Sequence, residues 1–122
     1  MESTARRREA NARGLAAEDA VAQHLRRLGW SVCAQRWRGE AGEIDLVVER
    51  EGCLRVVEVK LRQPEDPVGL ECVDERKLTR LRGAAEELIA RWERPFSEIC
   101  LMVALVEPRG DSLDIHLFDD PA

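Results

Sequence analysis

The sequence predicts a single α/β domain, in which helices cover a mixed β-sheet and the elements follow the order α-β-β-β-α-β-β. Two stretches place apolar residues at the three- and four-residue steps of an amphipathic helix, and these residues include Leu28 in the first stretch and Ile89 in the second. Five shorter stretches either alternate apolar with polar residues or are continuously apolar, which is typical of strands, and glycine or proline lies between them. The length of 122 residues suits one core and is too short for two ordinary domains.

Each element follows from local pattern. Alternation in "GEIDLVVER" predicts one shared face for Ile44, Leu46 and Val48, and "QPEDPVG" at 63–69 is predicted to be a loop. Gly29 ends the first helix, Glu51-Gly52 is typical of a hairpin turn, and Pro95 follows the second helix. Residues 1–12 are expected to be a flexible basic arm and residues 119–122 a tail, leaving the domain at 13–118. In chain order the predicted elements are a helix from about Arg13 to Leu28, strands at 30–37, 42–50 and 53–62, a helix from near Val73 to Trp92, and strands at 98–107 and 113–118.

Composition narrows the function classes. The net charge of −5 argues mildly against nucleic acid, but residues 1–40 carry eight Arg against five acids while residues 98–122 carry one Arg against six. One end can therefore face a polyanion. No apolar run is long enough to span a bilayer, so a soluble cytoplasmic protein without a membrane partner is expected. The four cysteines lack metal-type spacing and favour reduced thiols, and the two distant histidines make a zinc site improbable.

The stretch "LRVVEVKLR" at 54–62 is a strand interrupted by charge. Glu58 and Lys60 share a face with apolar neighbours, and burying a charge costs several kcal/mol, as an order of magnitude, unless it is paired or metal-bound. If the short turn pairs this strand with the preceding one, Asp45 can point to the same side as Glu58. Two carboxylates on adjacent strands suit Mg²⁺ (or Mn²⁺), with Lys60 beside them to act on the attacking water.

These residues resemble the signature of the PD-(D/E)XK nuclease superfamily, an acid followed after a gap by (D/E)-x-K, here Asp45 and then Glu58-Val59-Lys60. The runs "GLAAEDAVAQHLRRLGW", "GEIDLVV", "VVEVKLR" and "VDERKLTRL" resemble the uncharacterised YraN-like UPF0102 family, itself similar to archaeal Holliday-junction resolvases. The resemblance extends from about Gly14 to Phe118. It implies a restriction-endonuclease-like core and a metal-dependent DNA endonuclease acting on branched or structured DNA.

The resemblance also implies roles for individual residues. It makes Asp45, Glu58 and the backbone carbonyl of Val59 metal ligands and Lys60 catalytic, and it adds Glu18 on the first helix to the metal and catalytic set. The residues expected to contact nucleic acid are Arg36, Arg62, Lys77 and Arg80. A homodimer would supply the two active sites that cutting two strands requires. Two residue pairs depart from the family's usual pattern: Gln35-Arg36 stands where Arg-Asn is usual, and Ala17-Glu18 stands where Gly-Glu is usual. These departures affect the expected substrate contacts more than the expected metal binding.

Other interpretations of the same residues stay open at this point. The group of Asp45, Glu58 and Lys60 can be only a structural ion pair. Glu18 can be a solvated helix residue. The basic residues of the second helix can be a solvated face, although cations near a helix N-terminus gain nothing from the macrodipole. A non-catalytic module of the same fold that binds nucleic acid or a partner is the alternative function, and a structural interaction protein is a third.

Overall fold

The computed structural model describes residues 2–62 and 75–119, and it confirms the predicted α/β class and element order. The predicted loop at 63–69, the helix start near Val73, Cys72 and residues 120–122 lie outside the described residues. The elements are α1 (Glu2–Arg27), β1 (Ser31–Arg38), β2 (Glu43–Arg50), β3 (Cys53–Leu61), α2 (Glu75–Arg91), β4 (Glu98–Arg109) and β5 (Ser112–Asp119).

The five strands form one mixed sheet in the order β1-β2-β3-β4-β5. Every neighbouring pair is antiparallel except β3 and β4, which are parallel, and α2 lies in the connection between them. The turn from β2 to β3 has Glu51 at φ 51° and Gly52 at φ 81°. Positive φ at both central residues is the type I′ geometry, whose twist matches that of paired strands. The predicted hairpin turn is therefore present, and it fixes the register of β2 on β3.

The two helices cover opposite faces of the sheet. The sheet separates two cores, and adjacent residues of β3 point into different ones: Val57 packs on the α1 side and Val56 on the α2 side. On the α1 side, Val21 and Leu25 are fully buried against the sheet. On the α2 side the buried stripe is Leu78, Leu81, Ala84, Ala85 and Leu88. The candidate site described below lies on the α2 side.

Three local expectations differ from the structure. The helix α1 begins at Glu2, so residues 2–12 of the predicted arm are helical, and their Ala, Glu and Arg content favours a helix without an apolar stripe. Leu28 and Ile89, expected on buried stripes from periodicity, are 47% and 37% exposed. Leu28 lies beyond the last residue of α1, and Ile89 follows Leu88, the last buried residue of the α2 stripe. Ile44 packs on the α2 side while Leu46 packs on the α1 side, so they do not share the predicted face.

Among the described residues, Cys33, Cys53 and Cys100 form no disulfide. Within residues 2–62 and 75–119, neither helix has an apolar stretch long enough to span a bilayer.

Candidate active site

The site begins where the ladder between β2 and β3 ends. Backbone pairs run from Arg50 with Cys53 to Leu46 with Val57, and the next position along this register sets Asp45 opposite Glu58. There the Val59 N–H donates to Asp45 Oδ2 at 2.7 Å. The Asp45 carboxylate thus takes the place that a backbone carbonyl of β2 occupies further along the ladder. This bond fixes the carboxylate between the two strands.

A cleft of about 320 Å³ opens beside these two carboxylates, between the end of the hairpin and α2. Its strand wall carries acids, and its helix wall carries cations. The lining residues are Gly42, Glu43, Asp45, Glu58, Lys77, Arg80 and Leu81.

The two carboxyl groups interact directly. Burial raises the pKa of Asp45 to about 8, with the charges of Glu58, Glu18 and Glu43 adding to the rise and the bond from Val59 opposing it. Burial also raises the pKa of Glu58, against the lowering effect of Lys77 and of a hydrogen bond between the two carboxyl side chains. Two close carboxyls that cannot both ionise easily hold a proton between them. A divalent cation in the same place would remove that repulsion.

The donor set fits a hard cation such as Mg²⁺ or Mn²⁺. Such ions take carboxylate, carbonyl and water oxygens and leave several positions to substrate phosphate. Asp45 and Glu58 supply the carboxylates. The N–H and C=O of one strand residue point to the same side, so the Val59 carbonyl faces the gap in which its N–H meets Asp45. Across the described part of the chain, no three His, Cys, Asp or Glu side chains are already gathered around one point, so Glu18 is not assembled with this pair.

Basic residues surround the carboxylates on two sides. Lys77 and Arg80 project from α2 and line the cleft. Lys60 follows Glu58 by one strand period and, like Lys77 and Arg80, lowers the pKa of Glu58. Lys60 is half-buried on β3 beside the cleft. The cations therefore approach the acidic pair from both the strand and the helix.

The other predicted residues lie at the edge of this group and have protein partners. Arg36, at φ 53°, places its Nε 3.2 Å from Glu18 Oε2. Glu18 is 17% exposed, and its charge reaches Asp45, whose pKa it raises. Arg62 Nη1 lies 3.2 Å from Glu107 Oε1. The structure brings Asp45, Glu58, Val59, Lys77 and Arg80 together, with Lys60 alongside, and sets Glu18, Arg36 and Arg62 farther out.

Sequence reasoning missed Glu87. Its carboxylate accepts the backbone N–H groups of Glu40 and Ala41, in the loop that leads from β1 into β2. The only local signal is the glycine-flanked loop "GEAG", whose exposed N–H groups can bind an anion. Nothing in that loop indicates which distant acid supplies it.

Comparison with known proteins gives consistent matches over most of the chain. The family model described as "Uncharacterised protein family UPF0102" matches residues 17–113. A UPF0102 protein of Sphingopyxis alaskensis is 40% identical over 84% of this chain and 88% of its own length. A UPF0102 protein of Synechococcus sp. is 41% identical, over 79% of this chain and 76% of the relative. A UPF0102 protein of Parvibaculum lavamentivorans is 42% identical, over 79% of this chain and 72% of its own length.

Proposed function

Since the chain belongs to the uncharacterised family UPF0102, whose name supplies no activity, we propose from the site itself that the protein is a metal-dependent endonuclease hydrolysing DNA phosphodiester bonds. One observation carries the proposal. Asp45 and Glu58 lie just beyond the last backbone pair of β2 with β3, in a cleft whose opposite wall is cationic. A structural ion pair would not need a cleft or a second wall of cations.

The residues divide the chemistry among them. Asp45, Glu58 and the Val59 carbonyl would hold the cation, which when bound supplies a Lewis acid and a water of lowered pKa. Lys60 would orient the attacking water and offset the negative charge that develops on the phosphate. Lys77 and Arg80, on the helix wall, would bind the phosphate oxygens of the substrate backbone. The acids thus hold the metal, and the cations hold the DNA.

Branched or structured DNA is the substrate that we propose, on the resemblance to junction resolvases. A homodimer is proposed for the same reason, because cutting two strands takes two sites. Arg36 and Arg62 would add contacts outside the cleft, at the cost of exchanging their partners Glu18 and Glu107 for phosphate.

The alternative function is a non-catalytic module of the same fold that binds nucleic acid or a protein partner. The net charge of −5 argues against strong non-specific DNA affinity, so within this alternative it favours a protein partner over nucleic acid. The two functions differ in what the acidic pair does. A binding module has no use for a metal-dependent reaction, whereas an endonuclease loses its activity when the pair is altered.

The test is cleavage of a panel of linear, flapped and four-way DNA in Mg²⁺, Mn²⁺ or Ca²⁺. We expect cutting in Mg²⁺ and Mn²⁺, none in Ca²⁺, and none with Asp45→Asn, while DNA affinity stays equal or rises slightly. The matched control is Asp111→Asn, an exposed acid in the turn between β4 and β5. DNA binding without cleavage in any metal would favour the binding module. Equal cleavage by Asp45→Asn and the parent would refute the proposed site.

A further inference from the structure

One carboxylate holds the loop between β1 and β2 against α2. Glu87 Oε2 accepts the N–H of Glu40 at 2.7 Å, and Oε1 accepts the N–H of Ala41. Consecutive backbone N–H groups that converge on one anion form an anion-binding nest. These two bonds lower the pKa of Glu87, and Arg91 lowers it further, so the carboxylate is ionised at neutral pH.

Close packing supports the same contact. A Cβ on Gly83 of α2 would lie 2.9 Å from the Ala41 Cβ, and a Cβ on Gly39 would lie 2.6 Å from Glu87 Oε2. Real Cβ atoms do not approach other atoms so closely, so glycine at both positions lets loop and helix meet. The Gly39 N–H also donates to the Gly42 carbonyl at 2.9 Å, which closes the loop on itself.

The loop leads directly into the candidate site. Gly42 and Glu43 line the cleft, and Asp45 follows three residues after Gly42. The opposite wall of the cleft, Lys77 and Arg80, belongs to α2, the helix that carries Glu87. The contact between Glu87 and the loop therefore joins the two walls outside the cleft.

We propose that Glu87 is a positioning residue, which fixes the loop on α2 and thereby sets the separation between the strand carboxylates and the helix cations. It touches neither metal nor substrate in this role. The inference rests on the function proposed above.

The test uses Mn²⁺ alone as the probe, with amide hydrogen exchange of the loop as a second readout. In Glu87→Gln the side chain keeps one acceptor oxygen but presents an amide to the second N–H, so one of the two bonds is lost. We expect the Glu40 and Ala41 amides to exchange at least about tenfold faster and Mn²⁺ affinity to fall by about 10-fold, the lower range for lost supporting contacts at metal sites. The control is Glu86→Gln, the exposed neighbour on α2, which should change neither.

Gly83→Ala tests the contact without altering Glu87. Alanine is the better helix former, but its methyl group would push Ala41 away from α2. The same loss of Mn²⁺ affinity is expected, even if Glu87→Gln does not fold. Faster loop exchange with unchanged Mn²⁺ affinity in either variant would overturn the positioning role alone. Absence of Mn²⁺ binding by the parent protein would refute the proposed function and the positioning role with it.

Discussion

The acidic pair makes the stability of the metal-free protein depend on pH. The pKa of Asp45 is about 8 in the folded protein, against an ordinary value of 3.8. Between these values the folded state holds a proton that the unfolded state has released, so the free energy of unfolding falls as pH rises. Each pKa unit corresponds to about 1.4 kcal/mol, which sets a ceiling of roughly 6 kcal/mol. The cleft is open to water, so we expect a loss of about 2–3 kcal/mol between pH 5 and pH 8.

Asp45→Asn should remove most of this dependence. An asparagine has nearly the same volume, its carbonyl can accept from the Val59 N–H, and its amide can donate to Glu58, as a protonated aspartic acid does. The variant should therefore match the parent near pH 5 and exceed its stability by about 2–3 kcal/mol at pH 8 in the absence of metal. Mg²⁺ should stabilise the parent at pH 8 and leave the variant nearly unchanged, because binding to the folded state alone raises stability.

The assay is urea unfolding followed by tryptophan fluorescence at several pH values between 5 and 8, first with EDTA and then with Mg²⁺. Asp111→Asn serves as the control for the loss of one acid at an exposed position. If the free energy of unfolding of Asp45→Asn changes with pH in parallel with that of the parent, the shared-proton argument is refuted. Equal stabilisation of both proteins by Mg²⁺ would show that the ion binds elsewhere.

Three further predictions concern the basic residues and the first helix. Lys60→Met keeps most of the side-chain stem and removes its charge, so single-turnover cleavage should fall by about 100-fold or more while Mn²⁺ affinity changes little. Glu18→Gln should raise the Mg²⁺ concentration needed for cleavage by about 10–100-fold if Glu18 supports the metal site. Asp19→Asn, at the exposed neighbouring acid on α1, is the control, and an unchanged Mg²⁺ titration for Glu18→Gln would exclude Glu18. Lys77→Gln should weaken DNA binding in a titration across salt concentrations and reduce the salt slope by about one.

Local pattern predicted the fold and the proximity of Asp45 to Glu58, because both depend on short-range geometry. The Glu51-Gly52 turn fixes the register of β2 on β3, and that register, continued one position beyond the pair of Leu46 with Val57, brings Asp45 to Glu58. The packing of Ile44 on the α2 side could not be predicted, because strict alternation fails at the start of β2, before its ladder with β3 begins at Leu46. Alternation alone assigns a side chain to one face only within a regular strand.

Long-range contacts account for what the sequence did not reveal. The bonds from Glu40 and Ala41 to Glu87 join residues 46 or 47 positions apart. The pair of Arg62 with Glu107 spans 45 positions. Glu87, Arg62 and Glu107 are ordinary charged residues in their own segments, so no local pattern distinguishes them from solvated ones.

The parallel pairing of β3 with β4 has a kinetic consequence. The hairpin that carries Asp45 and Glu58 closes through a two-residue turn, whereas Cys53 pairs with Glu98 across 45 positions. Long loops close at a greater entropic cost, so non-local pairing is slow to form. During refolding the two carboxylates can meet before α2 brings Lys77 and Arg80 to them. Early intermediates would then carry the repulsion of the acidic pair without its counterions, and alkaline pH would slow the folding of the metal-free chain.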